Sequence, residues 1–320
     1  MKQDQIQRAV DFLRAGQLVA FPTETVYGLG ADAASPTAVQ RLYAAKGRPS
    51  SHPVIVHIGD ASKLSNWVRE IAPAASELAR RFWPGPLTMV LPRAKQVLDS
   101  VTGGQDSVAI RVPAHPLAQA LLRAFGGGVV APSANRFGRV SPTTAAHVRS
   151  EFGDEIAMVL DGGPCRVGIE STIVDLTGDV PRLLRAGDID PAQLAEVLGM
   201  LPQRPGTDAP RAPGMLARHY APRTASWMVG SAALGEALRE QTGKRIGILL
   251  CGSANAKAVF GAQLEQLAAE PRLYAQALYA ALRRLDIAGL DAILVEQPPE
   301  NAHWDAVWDR LRRATTPWPA

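Results

Sequence analysis

The segment Phe21-Pro22-Thr23-Glu24-Thr25-Val26-Tyr27-Gly28 follows a short apolar strand, Leu18–Phe21, and puts two hydroxyls and a carboxylate where the chain leaves a sheet. Ligands sit at strand ends in open sheets, and the same residue types also serve as plain turn chemistry. Lys46-Gly47-Arg48-Pro49 sets two cations around a glycine just after a helical stretch. A lysine point charge and an arginine fork together suit a triphosphate, and cations there also complement a helix C-terminus. In Val54-Ile55-Val56-His57-Ile58, alternation puts Val54, Val56 and Ile58 on one face and Ile55 with His57 on the other. Arg111 interrupts the apolar strand Ser107-Val108-Ala109-Ile110-Arg111-Val112. A buried arginine needs a partner, and a substrate carboxylate or an internal Asp or Glu would serve.

Ala131-Pro132-Ser133-Ala134-Asn135 leaves the strand Gly128–Val130 with side chains that can hold phosphate or carboxylate oxygens. Ser141-Pro142 reads as a helix N-cap with proline behind it, and a helix N-terminus also binds anions. Ser171 stands at the mouth of the strand ending at Leu176, and Arg185 closes Arg182-Leu183-Leu184-Arg185. No nucleophile–base pair and no carboxylate dyad emerges. Cations, hydroxyls, amide dipoles and one arginine in a strand suit adenylyl transfer, where positioning and charge neutralisation do most of the catalysis.

Familiar signatures are missing. There is no GxxxxGK(S/T) loop, no HExxH and no GxSxG. Gly28-Leu29-Gly30-Ala31-Asp32-Ala33 fits GxGxxA, but it starts several residues beyond the preceding strand, and the dinucleotide fingerprint needs its glycines at the strand end. Ser253-Ala254-Asn255 repeats the tripeptide at 133–135, so that tripeptide alone means little.

The elements that must position these groups follow from periodicity. Gln5–Ala15 has a helical apolar stripe, and Ser35-Pro36 opens a helix to about Ala45. Two helices follow near 61–69 and 73–82, and Asp190-Pro191 caps another. Strands recur at Pro53–Ile58, Leu87–Leu91, Val108–Val112, Val129–Ala131, Ala157–Leu160, Thr172–Leu176 and Arg182–Leu184. Several lie close together without intervening helices, which favours a mixed sheet over a regular doubly wound one. Residues 201–223 hold five prolines and read as a linker. Strands Trp227–Val229, Arg245–Leu250 and Ala292–Val295 then alternate with helices 232–241, 271–288 and 302–313, the pattern of a smaller Rossmann-like domain. The expected organisation is α/β, with a catalytic domain at 1–200, a linker or lid at 201–224 and a C-terminal domain at 225–320.

The 320 residues are about half apolar, enough for a sizeable core. No apolar run is long enough to span a membrane, and the charged N-terminus lacks the apolar core of a secretion signal. Two cysteines far apart make no disulfide framework or metal spacing, so a cytoplasmic location is expected. Residues 225–320 hold 10 basic and 10 acidic side chains, so the whole net charge of +4 lies in residues 1–224. That suits an anionic ligand such as a nucleotide or RNA, and equally a solvated basic surface.

The ordered set FPTETVYGLGADA (21–33), KGRP (46–49), PVIVHI (53–58), WPGPLTMVL (83–91), AIRVP (109–113), APSAN (131–135), SPT (141–143), GIESTIVDL (168–176) and LLRAG (183–187) resembles the YrdC-like family of threonylcarbamoyl-adenylate synthases. APGMLARHYAP (212–222) and the second domain look like the family's long form, so the resemblance spans essentially the whole chain. It implies a YrdC-like twisted mixed sheet with a basic concave cavity. It also implies condensation of L-threonine, bicarbonate and ATP to threonylcarbamoyl-AMP with release of pyrophosphate, for threonylcarbamoyladenosine modification of tRNA position 37.

By the same resemblance Thr25, His57, Arg111, Ala131 and Ser171 belong to the threonine side, with Arg111 gripping the carboxylate. Arg48, His52, Ser107, Ser133, Ser141 and Arg185 belong to the ATP side. Lys46 and Asn135 complete a KxR…SxN signature facing the phosphates, and Tyr220 reaches over the nucleotide as part of a lid. His52 departs from the shorter polar residue typical there, and Ala131 can offer only backbone groups. Mg²⁺ is expected to bind mainly through phosphates, without a protein-made metal site, and the partners are the downstream tRNA threonylcarbamoyl-transfer machinery. Two other readings stand beside this one, a double-stranded RNA-binding module and a different carbamoyl-transfer enzyme.

Overall fold

The computed structural model describes residues 2–215, 218–252 and 262–319. Ser253-Ala254-Asn255 and two linker positions, 216 and 217, lie outside them. Two compact units emerge. The first comprises Met1–Phe137, Pro142–Arg166 and Glu170–Met215, and the second Gly138–Ser141, Val167–Ile169 and Leu216–Ala320. These are not the contiguous segments that composition suggests. The proline-rich stretch up to Met215 goes with the first unit because its backbone finds partners there. Leu183 N–H donates to Gln203 O, Gln203 N–H to Pro181 O, and the Arg211 side chain to Gly103 O. Prolines remove periodicity without preventing such pairing.

In the first unit the strands are β1 (Val19–Phe21), β2 (Gly28–Asp32), β3 (Ile55–His57), β4 (Leu87–Pro92), β5 (Ser107–Arg111), β6 (Val129–Val130), β7 (Met158–Val159), β8 (Thr172–Asp175) and β9 (Arg182–Arg185). They form one sheet in the order β7-β1-β2-β6-β3-β5-β4-β8-β9. Parallel pairs (β1/β7, β3/β5, β4/β8) mix with antiparallel ones, so the sheet is mixed, as the close strand spacing predicts. The helices are α1 (Lys2–Arg14), α2 (Pro36–Lys46), α3 (Pro73–Phe82), α4 (Asp99–Thr102), α5 (Pro116–Phe125), α6 (Ala145–Phe152) and α7 (Pro191–Leu198). Ser35 caps α2 by accepting from Ala38 N–H, and Asp190 with Gln193 forms a capping box on α7. The stretch predicted as a helix at 61–69 is a 3₁₀ turn over Ala61–Asn66.

One expectation fails at 141–142. The helix there begins at Ala145, and its cap is Thr144, which accepts from His147 N–H. Proline behind serine resembles a cap locally, but Thr144 is still extended and the helix starts only after it. The glycines of 28–33 lie inside β2, antiparallel to β1, and not in a phosphate loop. A Cβ on Gly30 would stand 2.9 Å from both Phe21 Cε1 and Val19 O, so packing against β1 explains that glycine.

The second unit holds β10 (Ser226–Val229), β11 (Ile246–Cys251), β12 (Gln263–Leu267), β13 (Ala292–Glu296) and β14 (Thr316–Pro317), with α8 (Leu234–Glu240), α9 (Pro271–Asp286) and α10 (Asp305–Ala314). Its sheet runs β12-β11-β13-β10-β14, with every pairing parallel, the arrangement expected of a Rossmann-like domain. No helix among the described residues is long and apolar enough to cross a membrane.

A polar face of the large sheet as candidate active site

Alternation decides where the polar side chains go. Val54, Val56 and Ile58 of the β3 region, Val108, Ile110 and Val112 around β5, Leu87, Met89 and Leu91 of β4, and Val174 of β8 all enter one large core. Their neighbours in sequence must face the other way. There Ile55, Val90, Ala109, Ile173 and Leu184 form a smaller apolar floor. His57, Thr88, Arg111 and Ser171 share the parity of that floor, and all four are buried.

Arg111 is the most constrained of them. Its Nη2 donates to Glu24 Oε1 at 2.7 Å, its Nη1 to Thr25 Oγ1 at 2.9 Å, and its Nε to Gly85 O at 3.1 Å. The partner of the strand arginine is thus an internal glutamate, one of the two solutions the sequence leaves open. The other Glu24 oxygen accepts from Ala114 N–H at 2.9 Å. Thr23 and Thr25 join their hydroxyls at 2.8 Å, and Thr23 also donates to Val26 O, so the 22–27 loop is braced from within. Gly85 belongs to the turn into β4. A Cβ there would lie 2.2 Å from Phe82 O, so only glycine lets this turn present its carbonyl to Arg111.

A guanidinium has five N–H donors. Three are used, leaving one on each terminal nitrogen, the number a carboxylate takes in a bidentate grip. His57 lies directly opposite Arg111 in the parallel β3/β5 register. Burial, and then the Arg111 cation, push its imidazole down to about 3, so the ring is neutral at physiological pH. Its buried Nδ1 has no hydrogen-bond partner among the described residues.

Arg185 reaches the same face through an irregularity. Val174 pairs with Leu183 but Ile173 pairs with Arg185, so Leu184 is an extra residue in β9. Directly paired residues point to the same side, and the bulge therefore aims Arg185 with Ile173. Its Nε donates to Ser171 O at 2.9 Å, its Nη2 to Ser171 Oγ at 3.0 Å and its Nη1 to Pro213 O at 2.9 Å. Ser171 Oγ also meets Thr88 Oγ1 at 2.8 Å.

Lys46 ends α2 with its ammonium buried. It donates to Ser133 O at 2.6 Å and Asn135 O at 2.5 Å, so it holds the 133–135 loop by its carbonyls. Burial, and then Arg48, hold its pKa well below the ordinary lysine range. The resemblance aims Lys46 at phosphates, and one of its three N–H groups remains for that. The loop is also pinned by Ala134 N–H to Tyr27 O at 2.8 Å and by an antiparallel bridge between Gly28 and Ser133. Arg48 donates to Pro53 O at 2.7 Å. The His52 ring packs 5.5 Å from Phe137, and burial, then Arg48 and Arg211, lower its pKa. Ser107 is buried at the start of β5, and Ala131 N–H donates to Ile55 O.

Ser141 and Tyr220 belong to the second unit. There Arg283 donates to the carbonyls of Val140 and Ser141. Tyr220 adopts φ +61°, a left-handed conformation unusual for an aromatic residue, with its ring 5.8 Å from Tyr279 and the Arg310 guanidinium 5.3 Å from its centroid.

Sequence reasoning places the Glu24 carboxylate at a strand exit without pairing it to Arg111, and assigns no site role to Thr88 or Gly85. Thr88 had a readable signal as the lone hydroxyl in the apolar run LTMVL. Burial, then Glu24, push the Cys165 thiol up to about 12, so it stays protonated at neutral pH. Among the described residues no group of three His, Cys, Asp or Glu side chains could hold a metal ion.

Known proteins match this architecture over nearly the full chain. Residues 11–187 match the Sua5/YciO/YrdC family model, described as telomere recombination, and residues 189–316 match the threonylcarbamoyl-AMP synthase C-terminal domain. The chain is 42% identical to the threonylcarbamoyl-AMP synthase of Pyrococcus abyssi, covering 97% of this chain and 94% of that protein. It is also 42% identical to the threonylcarbamoyl-AMP synthase of Bacillus subtilis, covering 97% and 92%. The crystal structure of P. abyssi Sua5 complexed with L-threonine superposes with a TM-score of 0.91 at 39% identity, covering 99% of this chain and 97% of that one. A fold, a buried polar face and full-length likeness agree, and the chain belongs to the long-form Sua5 family of threonylcarbamoyl-AMP synthases.

Proposed function

We propose that the protein condenses L-threonine, bicarbonate and ATP into threonylcarbamoyl-AMP. The observation that carries the reading is Arg111, buried and fixed by three bonds, with one N–H left on each terminal nitrogen. The relatives' names and the L-threonine complex of the P. abyssi protein support it. Arg111 takes the threonine carboxylate. Neutral His57, Thr25 and Ser171 line the same side, with the Ala131 carbonyl. A neutral imidazole adds no second cation beside the amine, which acts as a nucleophile only when unprotonated. Arg48, His52, Ser107, Ser133 and Arg185 take the nucleotide, while Lys46 and Asn135 keep the 133–135 loop in place for the phosphates.

The threonine amine adds to bicarbonate carbon and water leaves, giving an N-carboxylate. A carbamate oxygen then attacks the α-phosphorus of ATP, the bond from that phosphorus to the bridging oxygen breaks, and pyrophosphate departs. The cations neutralise charge on the phosphates as it shifts. The buried glutamate of the face is already engaged by Arg111, so a Mg²⁺ ion would be held mainly by the phosphates and would supply further charge neutralisation there. The product is consumed in the cytoplasm by a transferase that modifies tRNA.

The test is one reaction with purified protein, ATP, Mg²⁺, L-threonine and bicarbonate. Pyrophosphate release that depends on both L-threonine and bicarbonate, with a nucleotide product of threonylcarbamoyl-AMP mass, is expected. Folded, ATP-binding protein that makes no such product would sink the reading. Salt-sensitive RNA affinity in its place would favour an RNA-binding module.

A further inference from the structure

We propose that Glu24 is a positioning residue for substrate selection, fixing the Arg111 guanidinium so that its two remaining N–H groups match a carboxylate. This rests on the reading of Arg111 as the threonine-carboxylate group. Both Glu24 oxygens are committed, Oε1 to Arg111 Nη2 at 2.7 Å and Oε2 to Ala114 N–H at 2.9 Å. The ion pair is almost fully buried on both sides, with 4% and 3% of the two side chains exposed.

An arginine side chain has several rotatable bonds, and a buried guanidinium without a counter-charge would rotate or draw in an anion. Glu24 removes that freedom from one end of the fork, Thr25 Oγ1 from the other, and Gly85 O from the Nε edge. The carboxylate is itself anchored through Ala114, which follows β5 by three residues. The strand that carries Arg111 and the loop that carries Glu24 are therefore tied at two points. What remains is a planar donor pair of fixed orientation beside an uncharged His57 ring. Such a pair favours a planar anion over a neutral group of the same shape, since a carboxamide opposes one of the donors with its own N–H.

Glutamine at position 24 keeps the shape but cannot satisfy both partners. Its amide N–H₂ must face either Arg111 or Ala114 N–H, and both are donors. The selection for a carboxylate should then fall, because the fork is no longer held. A purely structural role for Glu24 would weaken every ligand of the face alike.

The experiment is calorimetric titration of the full-length protein with L-threonine and, separately, with L-threoninamide, for the wild type, Glu24→Gln and Glu24→Asp. ATP binding and thermal melting report on folding. The wild type is expected to bind L-threonine far more tightly than the amide. Glu24→Gln is expected to weaken L-threonine about tenfold to a hundredfold while the amide changes by less than about threefold, with ATP binding kept. In steady state the KM for L-threonine should rise more than kcat falls. Glu24→Asp keeps the charge and should recover part of the selectivity, and it carries the comparison if the glutamine variant does not fold. Equal weakening of both ligands, or no change in either, overturns the positioning role and leaves the substrate reading intact. A wild-type protein that does not bind L-threonine overturns the substrate reading and this inference with it.

Discussion

The two sheets handle buried charge in opposite ways. In the nine-stranded sheet, Arg111 and Arg185 lie on a buried face, and each is held by three hydrogen bonds to partners elsewhere in the chain. In the five-stranded sheet, the corresponding interior is aliphatic. Val229, Ile246, Ile248, Leu250, Ala292 and Leu294 form one cluster with Leu234 and Ala237 of α8. Its buried strand-end carboxylate, Glu296, accepts from Cys251 N–H at 2.9 Å. A buried ion pair contributes little net stability, because desolvation offsets the attraction, whereas apolar burial stabilises directly. The second sheet is thus built for stability. The first gives up stability on one face to hold donors in fixed directions.

Breaking that face should show the largest effect. Arg111→Ala leaves Glu24 buried without its counter-charge, so a loss of about 3–5 kcal/mol is expected in denaturant unfolding. L-threonine-dependent pyrophosphate release should fall on the order of 10²–10³-fold. Leu294→Ala tests the other side of the comparison. A cavity in the aliphatic cluster should cost about 2–5 kcal/mol by the same measurement, while the KM for L-threonine stays unchanged. A shift of that KM would break the division of roles.

Lys46→Ala removes two hydrogen bonds that tie the 133–135 loop, and leaves two carbonyls unsatisfied. A cost of about 1–3 kcal/mol is expected, with the KM for ATP rising more than the KM for L-threonine. His57 gives a pH signature. Its pKa is about 3 in the folded protein and returns towards 6.5 on unfolding. Between these values the unfolded chain binds a proton that the folded one refuses, so the stabilisation is complete above about 6.5 and declines as pH falls. At pH 5 the wild type should have lost up to about 2 kcal/mol more than His57→Gln, seen as a steeper fall of Tm below neutrality. His52 and His115 shift in the same direction, so only the difference between the two proteins reports His57. The smallest effect belongs to the exposed pair Arg80–Glu77, 2.6 Å apart. Arg80→Ala should stay within about 0.5 kcal/mol and leave turnover alone.

Much of this was legible because it is local or periodic. The alternation around His57 assigns its face correctly, and the single arginine in the apolar run 107–112 signals a buried cation needing a partner. Ser35-Pro36 and Asp190-Pro191 mark real helix starts, since an N-cap is decided by three or four neighbouring residues. Ser141-Pro142 shows the limit of that reasoning, because the helix starts only at Ala145, behind an extended Thr144. The helix at 116–125 and strand β2 also went unread. In β2, alternating glycines weaken the apolar signal that packing against Phe21 requires.

By itself, then, the sequence determined the strand and helix periodicities, the mixed and parallel sheets that follow from their spacing, and the ordered motifs that place the chain in its family. Tertiary structure alone decided that Glu24, 87 positions away, is the partner of Arg111, that a bulge turns Arg185 onto the polar face, and that Lys46 holds the carbonyls of Ser133 and Asn135. Periodicity fixes which way a side chain faces, because it depends on backbone geometry within a few residues. Which groups then meet depends on strand order and loop paths, and those are set by how the whole core packs.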